Sequence, residues 1–221
     1  ITSTVRANPS AGFSIVSYTG NNISGAQVGH GLSSPAKFII VKQTNTTKGW
    51  PVYTEAVGPG GYLSLDSTHA AAGDAIWVNV VPTSSYFTIS NHSEVNTSGG
   101  NYIAYCFAPV EGYSAMGTYT GNGSSSQGPF VFTGFKPAFL LARQSDATQN
   151  WIILDGERSP NNVLDKGLYA DLANAEQTST RCDFLSNGFK LRINSGELNT
   201  NNGTYIYLAF AEHPFKTARA R

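Results

Sequence analysis

The side chains in this sequence that could do chemistry are few and scattered. His30, His69, His92 and His213 are the histidines, and none has a second His or Cys at ligand spacing, so no zinc site is expected. His30 stands between two glycines and reads as a turn residue. No Asp-x-Asp-x-Asp loop marks a calcium site. The glycines fall in turns rather than ahead of a helix, which excludes a phosphate-cradling loop. Glycoside hydrolysis needs two carboxylates across a cleft. Glu55, Asp66, Asp155, Glu157 and Asp183 are available, but their mostly polar neighbours fit solvated or turn-capping roles. The most polar segment inside the patterned region runs from Asp155 to Asn162. It reads as a loop held by Arg158 pairing with Asp155 or Asp183, and secondarily as a binding loop. Aromatic faces stack on sugar rings while Asn, Asp and Thr bond hydroxyls, and Trp77, Tyr86 and Tyr113 stand near loop-rich segments. The candidate ligand or partner surface is therefore Trp77, Tyr86, Tyr113, Asp155, Arg158 and Asn161. The expectation is a chain that is not an enzyme and uses no cofactor and no metal.

The elements that must position these residues are written twice. Tyr18-Thr19-Gly20-Asn21 returns as Tyr119-Thr120-Gly121-Asn122, about a hundred positions later. Pro35-Ala36 opens and Lys42-Gln43 closes an apolar run, and Pro137-Ala138 with Arg143-Gln144 does the same. The unbroken apolar centre of each run fits a strand in the middle of a sheet. Trp50 and Trp151 then each start a short strand, and their repetition in register makes them core anchors. The copies diverge through 62–75 and 168–176, where short Ala-rich pieces lack an apolar stripe. They reconverge at Tyr86–Ile89 and Gly188–Leu191, and each ends in a Tyr-Ile strand, Tyr102–Ala108 and Tyr205–Ala211.

Strands of four to eight residues between Gly, Pro and Asn turns are the pattern of a β-sandwich or jelly roll. The reading is all-β, with two tandem jelly-roll or lectin-like units packed together. Residues 1–11 read as an N-terminal arm or linker, 12–112 as the first unit, 113–215 as the second and 216–221 as a basic tail. The first and last strands of each unit are expected to be neighbours. The functional surface should lie where the copies differ: Asn45–Gly49, Val57–Gly61, His69–Trp77 and Asp155–Lys166.

Composition narrows the partners. Charged residues make up 13% of the 221-residue chain, and 14 acids balance 14 bases. That is about half the usual charged share, with no net field to favour nucleic acid or an anionic membrane. No apolar run approaches the ~20 residues that span a bilayer, and no basic-then-apolar leader is present. Ile1 at the start fits a processed product or a fragment. Two cysteines, Cys106 and Cys182, are too few for a disulfide framework, and Cys106 in its apolar strand reads as a small buried thiol.

Two long motifs, Asp183-Phe184-Leu185-Ser186-Asn187-Gly188-Phe189-Lys190-Leu191-Arg192 and Thr204–Lys216, resemble the end of a family of tailed-bacteriophage virion proteins found in marine and cyanobacterial phages. Gly12–Asn21, His30-Gly31-Leu32, Ala104–Ala108, Gly128–Val131 and Thr133–Phe135 resemble the same family. What the resemblance implies is a virion structural or tail-fibre-like protein on the particle exterior, with no catalytic residues to carry over. The implied partners are other capsid or tail proteins, further copies of the chain, and host-surface glycans. A carbohydrate-binding host-receptor adhesin and a polysaccharide depolymerase are the alternatives.

Overall fold

The computed structural model describes residues 1–73 and 75–213; the expected basic tail, 216–221, lies outside them. The chain divides into two compact units, Ile1–Pro109 and a second beginning at Val110. Both are built almost wholly of antiparallel strands, so the all-β reading holds. Unit 1 contains β1 (Ser3–Asn8), β2 (Phe13–Thr19), β3 (Ala26–Gly29), β4 (Phe38–Gln43), β5 (Pro51–Thr54), β6 (Leu63–Ser64), β7 (Tyr86–Ile89), the one-turn helix α1 (Ser93–Asn96) and β8 (Asn101–Phe107). Its main sheet runs β1-β2-β8-β4-β5-β6, and β3 pairs with β7 separately. Unit 2 contains β9 (Ser114–Thr120), β10 (Phe130–Phe132), β11 (Pro137–Gln144), β12 (Ile152–Asp155), β13 (Leu164–Tyr169), β14 (Gln177–Leu185), β15 (Gly188–Leu191) and β16 (Thr204–Ala211). They form one sheet, β10-β15-β14-β13-β12-β11-β16-β9. No helix among the described residues is long and apolar enough to cross a membrane.

The two expected twin strands, β8 and β16, are central. β8 lies between β2 and β4, and β16 between β9 and β11. The expected neighbours are thus hydrogen-bonded in unit 2, β9 to β16, whereas in unit 1 the last strand β8 pairs with β2, because β1 has been added outside it. Alternation along β2 and β8 sends Val16, Tyr18, Tyr102, Ala104 and Cys106 into the unit 1 core, where Trp77, Phe87 and Ile89 meet them. Tyr119, Leu140, Leu154, Phe189, Tyr205 and Ala209 make the corresponding core of unit 2. Cys106 and Cys182 are buried and unbridged. Burial pushes the Cys106 thiol up to about 12 and raises that of Cys182 as well.

Residues 1–11 correct the expectation of an arm. Ser3–Asn8 pairs along its whole length with Phe13–Tyr18, and the Ile1 amine donates to the Gln27 carbonyl at 2.8 Å. The segment looks like a linker because its outward face, Thr4, Arg6 and Asn8, meets solvent. Its inward Val5 sits so close to Gly31 that a Cβ there would come within 2.8 Å of Val5 Cγ1. A second strand with no counterpart in unit 1, β14, joins β13 to β15 and makes the unit 2 sheet continuous.

Both units are fastened by the same polar clamp. In unit 1 Tyr18 stacks on Tyr102, with ring centroids 5.1 Å apart and planes at 13°. In unit 2 Tyr119 stacks on Tyr205 at 4.9 Å and 5°. The pairs join β2 to β8 and β9 to β16. The Tyr18 hydroxyl donates to Val95 O at 2.8 Å, and the Tyr119 hydroxyl to Leu198 O at 2.9 Å. The other ring of each pair, Tyr102 or Tyr205, accepts the Thr97 or Thr200 amide at 2.8 Å. Beside it sits an asparagine with 0% exposure, Asn96 or Asn199. Its Oδ1 accepts the amide of Asn21 or Asn122 at 2.8 Å. Asn96 Nδ2 donates to Ile23 O and Ser90 O, each at 2.9 Å. Asn199 Nδ2 donates to Ser124 O at 2.9 Å and Ile193 O at 2.7 Å. The clamp closes only because Gly20 and Gly121 carry no side chain. A Cβ at either would sit 2.2 Å from the carbonyl oxygen of Thr97 or Thr200.

His30 is a second fastener in unit 1. It is buried, with Nδ1 accepting the Leu32 amide at 3.1 Å and Nε2 facing Thr83 O at 3.0 Å. That pairing fixes a neutral ring with its proton on Nε2. Burial lowers its pKa, against a smaller raising effect of the Thr83 carbonyl.

Two outcomes follow. Asn96→Ala and Asn199→Ala each deprive a backbone amide and two carbonyls of their side-chain partner, and each should lose about 2–3 kcal/mol in urea unfolding. Because the folded His30 pKa is depressed, the unfolded chain takes up its proton first. The stabilisation is complete above the ordinary value and is lost as pH falls through the folded one. The urea midpoint should therefore drop below about pH 6.5, and His30→Gln should flatten that slope.

Candidate functional site

Of the six residues proposed from sequence, Trp77 and Tyr86 belong to unit 1, and Tyr113, Asp155, Arg158 and Asn161 to unit 2. Trp77 is not a surface platform. It is 1% exposed, with Tyr53 and Phe87 edge-on to it at 5.8 and 6.5 Å. The loops around it gave the contrary impression, but its ring completes the core. Tyr86 is half-buried at the start of β7, its amide held by Thr83 Oγ1 at 3.1 Å. Tyr113 is half-buried against Phe210, with centroids 5.8 Å apart.

Asp155 ends β12, and Arg158 and Asn161 lie in the loop that follows it, before β13. Asp155 Oδ1 caps the turn by accepting the Glu157 amide at 2.9 Å. Arg158 pairs with neither of its expected partners. It reaches Glu176 at 2.8 Å, while Asp183 is taken by Arg192 at 2.6 Å. Asn161 is exposed. The loop borders a cleft of about 120 Å³ whose lining includes Lys136, Ser159, Asn162, Phe184 and Glu212. Ligand pockets usually hold ~300 Å³ or more, so this one admits a small fragment at most. Its polar groups are also engaged. Ser159 Oγ donates to Asp165 at 3.0 Å, and the Asn162 side chain bonds both Phe184 N and Phe184 O at 2.9 Å. Lys136 is paired with Glu212 at 3.0 Å.

A second polar centre was missed from sequence, although its tryptophans were seen. In both units a cation covers the indole that opens the strand after the first turn: Lys42 over Trp50 at 5.2 Å, Arg143 over Trp151 at 5.4 Å. An aspartate fixes each tryptophan's amide, Asp66 at 3.0 Å and Asp171 at 3.1 Å. Around this shared corner the copies differ. In unit 2 it is closed: Trp151 and Arg143 are 0% exposed and Arg181 is 1% exposed. Arg181 reaches Glu197 at 3.2 Å and donates to the carbonyls of Asp165, Gln177 and Ser179 at 3.0–3.3 Å. Glu197 also accepts the Tyr169 hydroxyl. Gly167 makes the space, since a Cβ there would meet Arg181 Cζ at 2.8 Å. Burial pulls the Arg143 pKa down to about 10, which leaves it charged at neutral pH, and burial raises that of Asp171.

In unit 1 the corner is more open. Trp50 and Lys42 are half-buried and Asp66 is exposed. His69 Nε2 lies 3.1 Å from Ser64 Oγ, and its Nδ1 lies 2.7 Å from Ala70 O. A ring held by its Nδ1 proton presents a basic Nε2 to the serine, the relation that activates a hydroxyl nucleophile. Ser64 is 6% exposed, however, and so gives a substrate little approach; the pair ties β6 to the following loop. Among the described residues no group of three or more His, Cys, Asp or Glu could hold a metal ion.

The two arginines make a measurable contrast. Arg181→Ala removes the buried cation that pairs with Glu197 and bonds three carbonyls, leaving Glu197 to the Tyr169 hydroxyl alone, and should cost about 3 kcal/mol in urea unfolding. Arg158→Ala breaks an exposed pair and should cost under about 1 kcal/mol.

Searches among curated proteins and among solved structures returned no match. A family model described as a domain of unknown function (DUF7483) matches residues 1–214, spanning both units, and the chain therefore belongs to the DUF7483 family.

Proposed function

We propose that this chain is a non-enzymatic structural protein on the exterior of a tailed-bacteriophage particle, as a capsid decoration or an appendage component. On the same proposal each unit is a lectin-like or jelly-roll sandwich. The resemblance of Asp183–Arg192 and Thr204–Lys216 to phage virion proteins supplies the biological setting. The duplicated clamp is the observation that carries the reading. Asn96, Asn199, Tyr102 and Tyr205 direct their hydrogen bonds to the chain's own backbone, which suits a module selected for durability. The low charge and strand-rich composition point the same way. Its partners would be other virion proteins and further copies of itself.

A second reading, a glycan-binding adhesin, is favoured by one specific feature: the open corner of unit 1. There a half-buried Trp50 stands beside exposed Asp66 and half-buried His69, a ring with polar groups of the kind that hold sugars.

Mass spectrometry of purified particles of the encoding phage should find the chain at many copies, and antibody labelling should place it on the outer surface. Absence from intact particles would end the structural reading. For the adhesin, calorimetry with host polysaccharide should give saturable binding that Trp50→Ala weakens at least tenfold. Flat titrations of the folded wild-type chain would remove it.

A further inference from the structure

The duplication exposes a difference at one sheet edge. In unit 1 the outer edge of β2 is occupied by β1 in an antiparallel register, Ser3↔Tyr18 through Asn8↔Phe13. In unit 2 the equivalent strand, β9, is the last in its sheet. The same backbone geometry that receives a strand in one unit is therefore unpaired in the other among the described residues.

The ladder shows which groups are left over. Gly121 donates to Gly203 O at 2.9 Å and Ala211 to Tyr113 O at 2.8 Å, with Thr120↔Thr204 through Ser114↔Phe210 between them. Antiparallel pairing alternates, so Ala115, Gly117 and Tyr119 bond inward to β16. Ser114, Met116, Thr118 and Thr120 point their N–H and C=O groups outward. Ser114 is already engaged by the turn, its amide donating to Val110 O at 2.9 Å. Met116, Thr118 and Thr120 remain.

Natural sheets defend such edges with charges, prolines, bulges or short strands. The other ends of the two large sheets have these defences or are tied down. β6 has two residues and β10 three. β1 carries Arg6 and is followed by Pro9, and Ser3 Oγ bonds it to Gly29 O at 3.0 Å. β9 has seven residues, SAMGTYT, with no charge and no proline, and its register with β16 runs without a shift. Thr118 and Thr120 are exposed.

We propose that β9 pairs edge to edge with β9 of a second copy, antiparallel, about a twofold axis through Thr118. Centring the axis there is what the three free residues require: Thr118 faces Thr118 of the second copy, and Met116 faces Thr120, so every outward group on both strands finds a partner. The second copy is favoured as the occupant because the edge is uncharged. Self-pairing sets no like charges together, and it places threonine opposite threonine, a favourable cross-strand pair. An isologous contact of this kind closes on itself rather than growing a filament. A short ladder belongs at the weak end of interfaces, and repeated presentation of the chain on one surface would strengthen it. The pairing does not rest on the virion reading: a monomer would refute the pairing and leave the particle location untouched.

The test uses the full chain. Sedimentation from about 1 to about 100 µM should show a reversible dimer, within the range of weak interfaces. Thr118→Lys should keep the wild-type circular dichroism and weaken the dimer at least tenfold. In a hydrogen-bonded antiparallel pair the Cα atoms stand ~5.5 Å apart, within the span of a short bismaleimide. Thr118→Cys should therefore cross-link into a covalent dimer when treated with a short bismaleimide, while Thr4→Cys should not; native Cys106 and Cys182 are buried. A wild-type chain that stays monomeric throughout, a dimer indifferent to Thr118→Lys, or no cross-link from a folded Thr118→Cys chain would each overturn the proposal.

Discussion

The frame of each unit depends on holding β2 against β8 and β9 against β16, and a buried asparagine beside a stacked tyrosine pair does it. Asn96 and Asn199 have 0% exposure, and a buried primary amide is costly unless its donors and acceptor are all matched. Here they are matched by backbone from segments far apart in sequence, so the penalty for losing the native arrangement is high. The clamp is a specificity device as much as a stabilising one. A one-residue slip of β2 on β8 would put Tyr18 and Tyr102 on opposite faces of the sheet and break the stack. Gly20 and Gly121 set the same condition sterically, because only glycine permits the approach to Thr97 O and Thr200 O.

With the frame fixed twice, the corner over the tryptophans was free to diverge. Unit 2 filled it with Arg181, Glu197 and Tyr169, and opened room for the guanidinium by having Gly167 on β13. Unit 1 kept a lysine over a half-buried Trp50, with Ser64 and His69 beside it. The difference is one of backbone as well as of solvation, since Arg181 stands on β14, the strand without a counterpart in unit 1. A closed ionic cluster rigidifies, whereas an open cation–indole pair with an exposed aspartate can still exchange its water for a partner. The same logic separates the two units at their edges, where β1 covers β2 and β9 has no such neighbour among the described residues.

Much of this could be read in the sequence, and the failures have physical reasons. Strands with an unbroken apolar centre or strict alternation, such as Phe38–Gln43 and Phe13–Thr19, announce themselves, and so does the duplication through Tyr-Thr-Gly-Asn. β1 and β14 do not. Each has a solvent-facing side rich in Ser, Thr, Arg and Gln, and the four residues Gln177–Thr180 are all exposed, which gives the pattern of a loop. Trp77 looked available because loops flank it, but neighbours in sequence say little about where a ring points. Asp155 and Asp183 are the expected partners of Arg158, but its partner is Glu176, supplied by the segment just before β14. The clamp asparagines were invisible for a different reason: their partners lie 75 and 77 positions away, and no local pattern encodes such a bond.

Amide hydrogen exchange on the native chain tests the clamp most directly. If these asparagines and tyrosines hold both units closed, the amides of Asn21, Asn122, Thr97 and Thr200, all outside regular strands, should exchange as slowly as the central amides of β8 and β16. Fast, loop-like exchange at those four positions, with protection confined to the strands, would contradict the account.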